Sequence, residues 1–171
     1  PEVDPCRYPP LPDNFKRTDQ DPDVLNLEEE MGGQFAHYTM GRYSELDWQR
    51  YLYNFYRLVE RADACIGELV ASLKAHGLYD NSVIVFCPDH GDGAAAHEWN
   101  GKWALMEESV NVPMIIKAPK DKGPAGVVND SALVTIGPDL YSTFCDFAGI
   151  SLNKHRYVGQ SLAPVIYGQK E

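Results

Sequence analysis

Apolar residues at Trp48, Leu52, Phe55, Val59, Ala62, Ile66, Leu69 or Val70, and Leu73 recur at intervals of three and four. That spacing lines one face of an α-helix and predicts a helix of about eight turns. Ser44-Glu45-Leu46-Asp47 marks its start as a capping box, with Asp in place of the usual Glu or Gln. His76 and Gly77 mark its end, a cation-capable residue in the last turn and a glycine just past it. After Tyr79-Asp80-Asn81 the period is lost, and Ser82 to Cys87 forms a run rich in β-branched and aromatic residues. Such a run suits a strand buried on both faces, as in a parallel sheet. Met114 to Lys117 predicts a second strand, and Val127 to Thr135, broken by Asn129-Asp130, a third. Asp139 to Ala148 predicts a helix stopped by Gly149, and Leu162 to Tyr167 a short last helix. Strands alternating with helices imply a layered α/β fold. Three strands are too few to complete a large sheet.

Residues 1–43 show no sustained period and are rich in Pro, Asp, Asn and Gly. They read as an irregular arm with one short turn around Leu25 to Met31, preceding an α/β portion over 44–171. The composition is 44% hydrophobic and 23% charged, enough for a sizeable core. A net charge of −10 argues against nucleic acid and anionic membrane surfaces as partners. No apolar run is long enough to span a bilayer. The four cysteines lack CxxC spacing, which argues against a structural zinc site. Cys65, Cys87 and Cys145 read as buried thiols, and Cys6 lies in the arm.

The first strand runs directly into Pro88-Asp89-His90-Gly91, and Gly101-Lys102 follows. In open α/β sheets, ligands gather at the carboxyl ends of strands. Asp89 is a hard oxygen donor suited to Ca²⁺ or Mg²⁺, whereas His90 by softness alone suits Zn²⁺ or Mn²⁺. Lys102 supplies a positive charge suited to an oxyanion. His97 is a candidate for substrate contact or proton transfer, with loop packing as the alternative. Asp92 reads as a loop-stabilising carboxylate. Glu107 and Glu108 read as part of a helical turn. Two decoys fail on spacing. Gly91-x-Gly93 imitates a dinucleotide-binding turn, but His97 to Gly101 interrupts the helix that turn requires. Asp89-x-x-Asp92-Gly93 lacks the ligand spacing of a calcium-binding helical hand.

Together, Asp89-His90-Gly91, His97, Gly101-Lys102, Glu107-Glu108-Ser109 and Val112-Pro113-Met114-Ile115-Ile116 resemble the sulfatase family of the alkaline phosphatase superfamily. The order and spacing agree over roughly residues 44 to 165, including a late Gly159-Gln160-Ser161-Leu162. Residues 1–43 resemble the family only through Pro9-Pro10-Leu11-Pro12-Asp13-Asn14-Phe15. The resemblance implies an alkaline-phosphatase-like α/β sheet flanked by helices, a sulfate ester substrate, and calcium held by Asp89 and His90. Manganese and zinc rank behind calcium. It implies that Lys102 binds the sulfate and bridging oxygens. Family members attack with a formylglycine made from a Cys/Ser-x-Pro-x-Arg segment, and this chain has no such segment. The two N-terminal aspartates of the family's calcium site are missing as well. With Pro1 rather than Met at the start, the expectation is the C-terminal portion of a longer enzyme, inactive without its N-terminal half. A phosphodiesterase or phosphonate monoester hydrolase of the same superfamily, and a non-catalytic binding domain, remain as alternatives. The compartment is left open; periplasmic, secreted and lysosomal locations all fit the resemblance.

Overall fold

The computed structural model describes residues 3–21, 23, 25, 43–102, 104–153 and 156–168. The chain divides into two compact units: Pro1–Val70 with His90–Pro113, and Ala71–Asp89 with Met114–Glu171.

The first unit is built on α1 (Glu45–Ala75), whose last residues extend into the second unit's sequence. Its start is the expected capping box. The Asp47 N–H donates to Ser44 Oγ at 3.2 Å, and the Ser44 N–H donates back to Asp47 Oδ2 at 3.1 Å. Two amide donors that a helix start leaves unpaired are satisfied in this way. At the other end Gly77 takes a φ of +68°, and the Leu78 N–H reaches the Leu73 carbonyl at 2.9 Å, a glycine-terminated cap. The apolar stripe is buried only at its beginning. Trp48 and Leu52 pack with Phe15 of the arm and with Ala95, flanked by Leu11, Tyr51 and Ala94. Phe15 meets the Trp48 ring edge-on at 6.1 Å between centroids. A second small core joins Leu25, Trp99 and Ala104, with Met106 against it. The arm thus packs into the core of this unit. The turn expected at Leu25 to Met31 lies, beyond Leu25, outside the described residues. A short helix α2 (Glu107–Val110) includes both glutamates, as expected.

The second unit holds β1 (Ile84–Phe86), β2 (Ile115–Lys117), α3 (Ile136–Phe147) and α4 (Ala163–Ile166). The two strands pair antiparallel, Val85 opposite Ile116, and not parallel as their composition suggests. They are also not covered on both faces: Phe86 and Ile115 are exposed. An apolar run records burial potential but carries no information on the direction of the partner strand. Residues 127–135 form no strand. There Asn129 Oδ1 accepts from the N–H groups of Ser131 and Ala132, a side-chain turn that competes with strand pairing. Lys117 Nζ donates to the carbonyls of Tyr79 and Ser82, fixing β2 to the turn before β1.

The Gly159-Gln160-Ser161-Leu162 segment is stitched along α3. Asp139 Oδ1 accepts the Gln160 N–H at 2.8 Å, and Ser142 Oγ donates to the Gly159 carbonyl at 3.0 Å. Thr143 Oγ1 accepts the Leu162 N–H at 2.8 Å, and Ser161 Oγ donates to Asp146 Oδ2 at 2.6 Å. A Cβ on Gly159 would lie 2.1 Å from the Pro138 carbonyl oxygen, so the crossing requires glycine. Of the cysteines, only Cys145 is buried; Cys65 and Cys6 are exposed and Cys87 lies between.

Candidate active-site loop

The loop from His90 to Lys102 is held in shape by one carboxylate and two glycines. Asp92 Oδ1 accepts from the Tyr51 hydroxyl at 2.6 Å and the Ala94 N–H at 2.8 Å, while Oδ2 accepts the Gly101 N–H at 3.0 Å. The carboxylate therefore closes the loop at both ends and ties it to α1. Burial, and then the bond to the Asp92 carboxylate, push the Tyr51 hydroxyl far above its ordinary pKa. The Gly91 N–H donates to the Ser109 carbonyl at 2.9 Å, and a Cβ there would fall 1.8 Å from the Glu108 carbonyl oxygen. At Gly93 a Cβ would fall 2.6 Å from the Trp99 ring. Both glycines are demanded by close backbone approach.

His90 and Lys102 come together. His90 Nδ1 lies 2.7 Å from the Gly91 carbonyl oxygen, and Lys102 Nζ lies 2.6 Å from His90 Nε2. A carbonyl only accepts, so Nδ1 carries the proton and Nε2 presents its lone pair to the ammonium. Metal-ligating histidines show the same arrangement, one ring nitrogen donating to a carbonyl and the other left to the cation. Here the cation on that lone pair is Lys102. Asp89 belongs to the second unit's sequence and immediately precedes His90.

As donor types, the Asp89 carboxylate offers hard oxygen, while the one lone pair of the His90 imidazole, on Nε2, is engaged by Lys102. No group of three or more His, Cys, Asp or Glu side chains suited to a metal occurs among the described residues. Calcium takes about six to eight oxygen ligands.

His97 sits apart from the His90–Lys102 pair in the pattern of its bonds. Its Nδ1 donates to Asp21 Oδ1 at 2.9 Å, and the Asn14 amide donates to its Nε2 at 3.3 Å. The same amide nitrogen donates to Glu108 Oε1 at 2.7 Å. Burial raises the Asp21 carboxyl, but the Thr18 N–H and hydroxyl together with His97 outweigh it, and the net shift is downward. Ala94, Ala95, His97 and Glu98 all have positive φ, so Ala96–Glu98 is a strained 3₁₀ turn and not the opening of a helix. This disposes of the dinucleotide-binding resemblance. Sequence reasoning did not single out Tyr51, Asn14 or Asp21 as partners of this loop. They lie 41, 83 and 76 positions from the residues they bind.

Comparison with known proteins settles the family. The sulfatase family model matches residues 5–150. The chain belongs to the sulfatase family. The chain is 30% identical over 133 residues to arylsulfatase K of Bos taurus, covering 76% of this chain and 24% of that protein. It superposes on a 2-O GAG sulfatase with a TM-score of 0.82 and 28% identity, covering 99% of this chain and 36% of the other. A phosphonate monoester hydrolase from Silicibacter pomeroyi matches with a TM-score of 0.75 and 25% identity, covering 98% of this chain and 33% of that one. The fold is accordingly the alkaline-phosphatase-like α/β fold, represented in part. The chain spans between about a quarter and a third of the length of these relatives.

Proposed function

We propose that this chain is the anion-binding portion of a sulfuric ester hydrolase and that Lys102 receives the charge of a sulfate ester. The observation that carries the reading is the Lys102 ammonium lying 2.6 Å from His90 Nε2, at the end of the Asp89-His90-Gly91 segment of a sulfatase. As an S–O bond breaks, negative charge gathers on the leaving oxygen. A fixed ammonium beside that oxygen stabilises the transition state more than the bound ester. His97, whose Nε2 carries a lone pair, is the proton-transfer group in this reading.

Calcium, held in part by Asp89, and by His90 once the Lys102 ammonium leaves Nε2 for the ester, would offset charge on the non-bridging oxygens when bound. Manganese and zinc are the alternatives, and further ligands are needed beyond these two residues. Removing the metal with a chelator should lower activity of the complete gene product, and calcium should restore it more fully than zinc or manganese. The nucleophile is expected to be a formylglycine outside residues 1–171, supplied by an N-terminal half of the same enzyme.

In the complete gene product, Lys102→Ala should lower kcat on an aryl sulfate by about 10²- to 10³-fold. Unchanged turnover would end the reading. The alternative is a phosphonate monoester hydrolase, favoured by the superposition with the Silicibacter pomeroyi enzyme. A higher kcat/KM for an aryl phosphonate than for the matched aryl sulfate would decide for it. A non-catalytic binding domain is the third reading, and the presence of Asp89, His90 and Lys102 together argues against it.

A further inference from the structure

The arm does more than fill a core. The His97 N–H donates to the Asn14 carbonyl and the Glu98 N–H to the Phe15 carbonyl, each at 2.8 Å, and Arg17 Nε donates to the His97 carbonyl at 3.3 Å. Two of the four left-handed residues of the loop are therefore held by arm carbonyls. Phe15, which supplies one of these carbonyls, is buried against Ala95 and α1. Strain of this kind persists only where surrounding structure over-determines it, and it collects at functional sites. The side chains repeat the pattern. Asp21 takes the Nδ1 proton of His97 with its carboxylate 10% exposed, and Asn14 spans from His97 Nε2 to Glu108.

We propose that Asp21 and Asn14 are positioning residues for His97, a role that rests on the sulfatase reading above. Asp21 holds the ring in the Nδ1–H tautomer, so the lone pair that exchanges a proton is always on Nε2. A charge-assisted bond of 2.9 Å is the stronger of the ring's two contacts, and the 3.3 Å amide contact is the weaker. Asn14, anchored on Glu108, holds the Nε2 lone pair through a long, weak N–H bond that an incoming proton donor displaces. The ring is thus oriented from behind by Asp21, and Nε2 is freed when the Asn14 bond is given up.

The test uses the complete gene product, with ¹⁵N NMR of the His97 ring and steady-state kinetics on an aryl sulfate. The wild-type ring should show a protonated Nδ1 and an unprotonated Nε2, and D21A should lose this single tautomer. D21A should lower kcat roughly tenfold to a hundredfold with KM within about twofold, while D21N, which keeps an acceptor, recovers most of the rate. Combining D21A with H97A should cost no more than H97A alone, because residues acting as a unit are non-additive. An unchanged tautomer in D21A, or additive losses, would overturn the proposal. Should D21A not fold, N14A serves in its place, with a smaller kcat loss that likewise vanishes in the H97A background. A wild type that hydrolyses no sulfate ester sinks the sulfatase reading alone, and the tautomer measurement still decides the role of Asp21.

Discussion

At Gly91 the added methyl of an alanine would meet the Glu108 carbonyl oxygen at 1.8 Å, and backbone cannot step aside as a side chain can. Gly91→Ala should therefore destabilise the fold by about 2–3 kcal/mol, measured as a drop in urea midpoint at unchanged slope. Tyr51 offers a different test. Its hydroxyl pKa is raised in the folded state by burial and by Asp92, so the neutral form is favoured by folding. The resulting stability is fully present below the unfolded phenol's pKa of about 10 and is lost as pH rises above it. Stability measured from pH 9 to 11 should fall, and Tyr51→Phe should remove most of that slope. An identical slope in the variant would show that Tyr51 is not its source. At this scale the sequence was readable where chemistry is local. Asp92 reads as a loop carboxylate because the two backbone donors it binds, Ala94 and Gly101, lie within nine positions. Asn14, Asp21 and Tyr51 were not readable as partners, since nothing in an isolated Asn, Asp or Tyr marks a contact more than 40 positions away.

Among the elements, the start of α1 and the stops of α1 and α3 were legible; the start of α3, expected at Asp139 and found at Ile136, and the sheet were not. Ser44, Asp47 and Gly77 act through the backbone within a turn or two, so residue type alone sets where α1 starts and stops. Gly149 does the same for α3, with φ of +69° and the Ile150 N–H bonded to the Cys145 carbonyl at 2.8 Å. Strand direction depends on which segment lies alongside. Ile84–Phe86 and Ile115–Lys117 carry no mark of it. One link between segments in the second unit is Thr143, fully buried, whose hydroxyl donates to the Asp139 carbonyl within α3 at 2.6 Å and accepts from the Leu162 N–H. Thr143→Val keeps the shape and removes the acceptor, leaving the Leu162 N–H unpaired. The expected cost is about 1–3 kcal/mol. Thr143→Ser keeps the hydroxyl and should lose less, which thermal unfolding of the two variants would check.

Across the whole molecule, the apolar stripe of α1 outruns the core that covers it. Val59 and Leu69 are 52% and 58% exposed, on a helix buried only at Trp48 and Leu52. Exposed apolar surface of this kind accompanies a chain that spans 36% of the 2-O GAG sulfatase it superposes on. The chemistry is equally partial. In the function proposed above Lys102 stabilises charge and His97 moves a proton, but no Cys/Ser-x-Pro-x-Arg segment is present to make the family's nucleophile. Electrostatic stabilisation acts on a bond only while something attacks it, and losing the nucleophile of a hydrolase costs on the order of a millionfold in kcat. The 171-residue chain assayed by itself on an aryl sulfate should thus show only the buffer rate, with the same rate for Lys102→Ala. Saturable hydrolysis by the chain alone, abolished by Lys102→Ala, would mean that residues 1–171 contain a nucleophile of their own and that the division of labour inferred from the family is wrong for this protein.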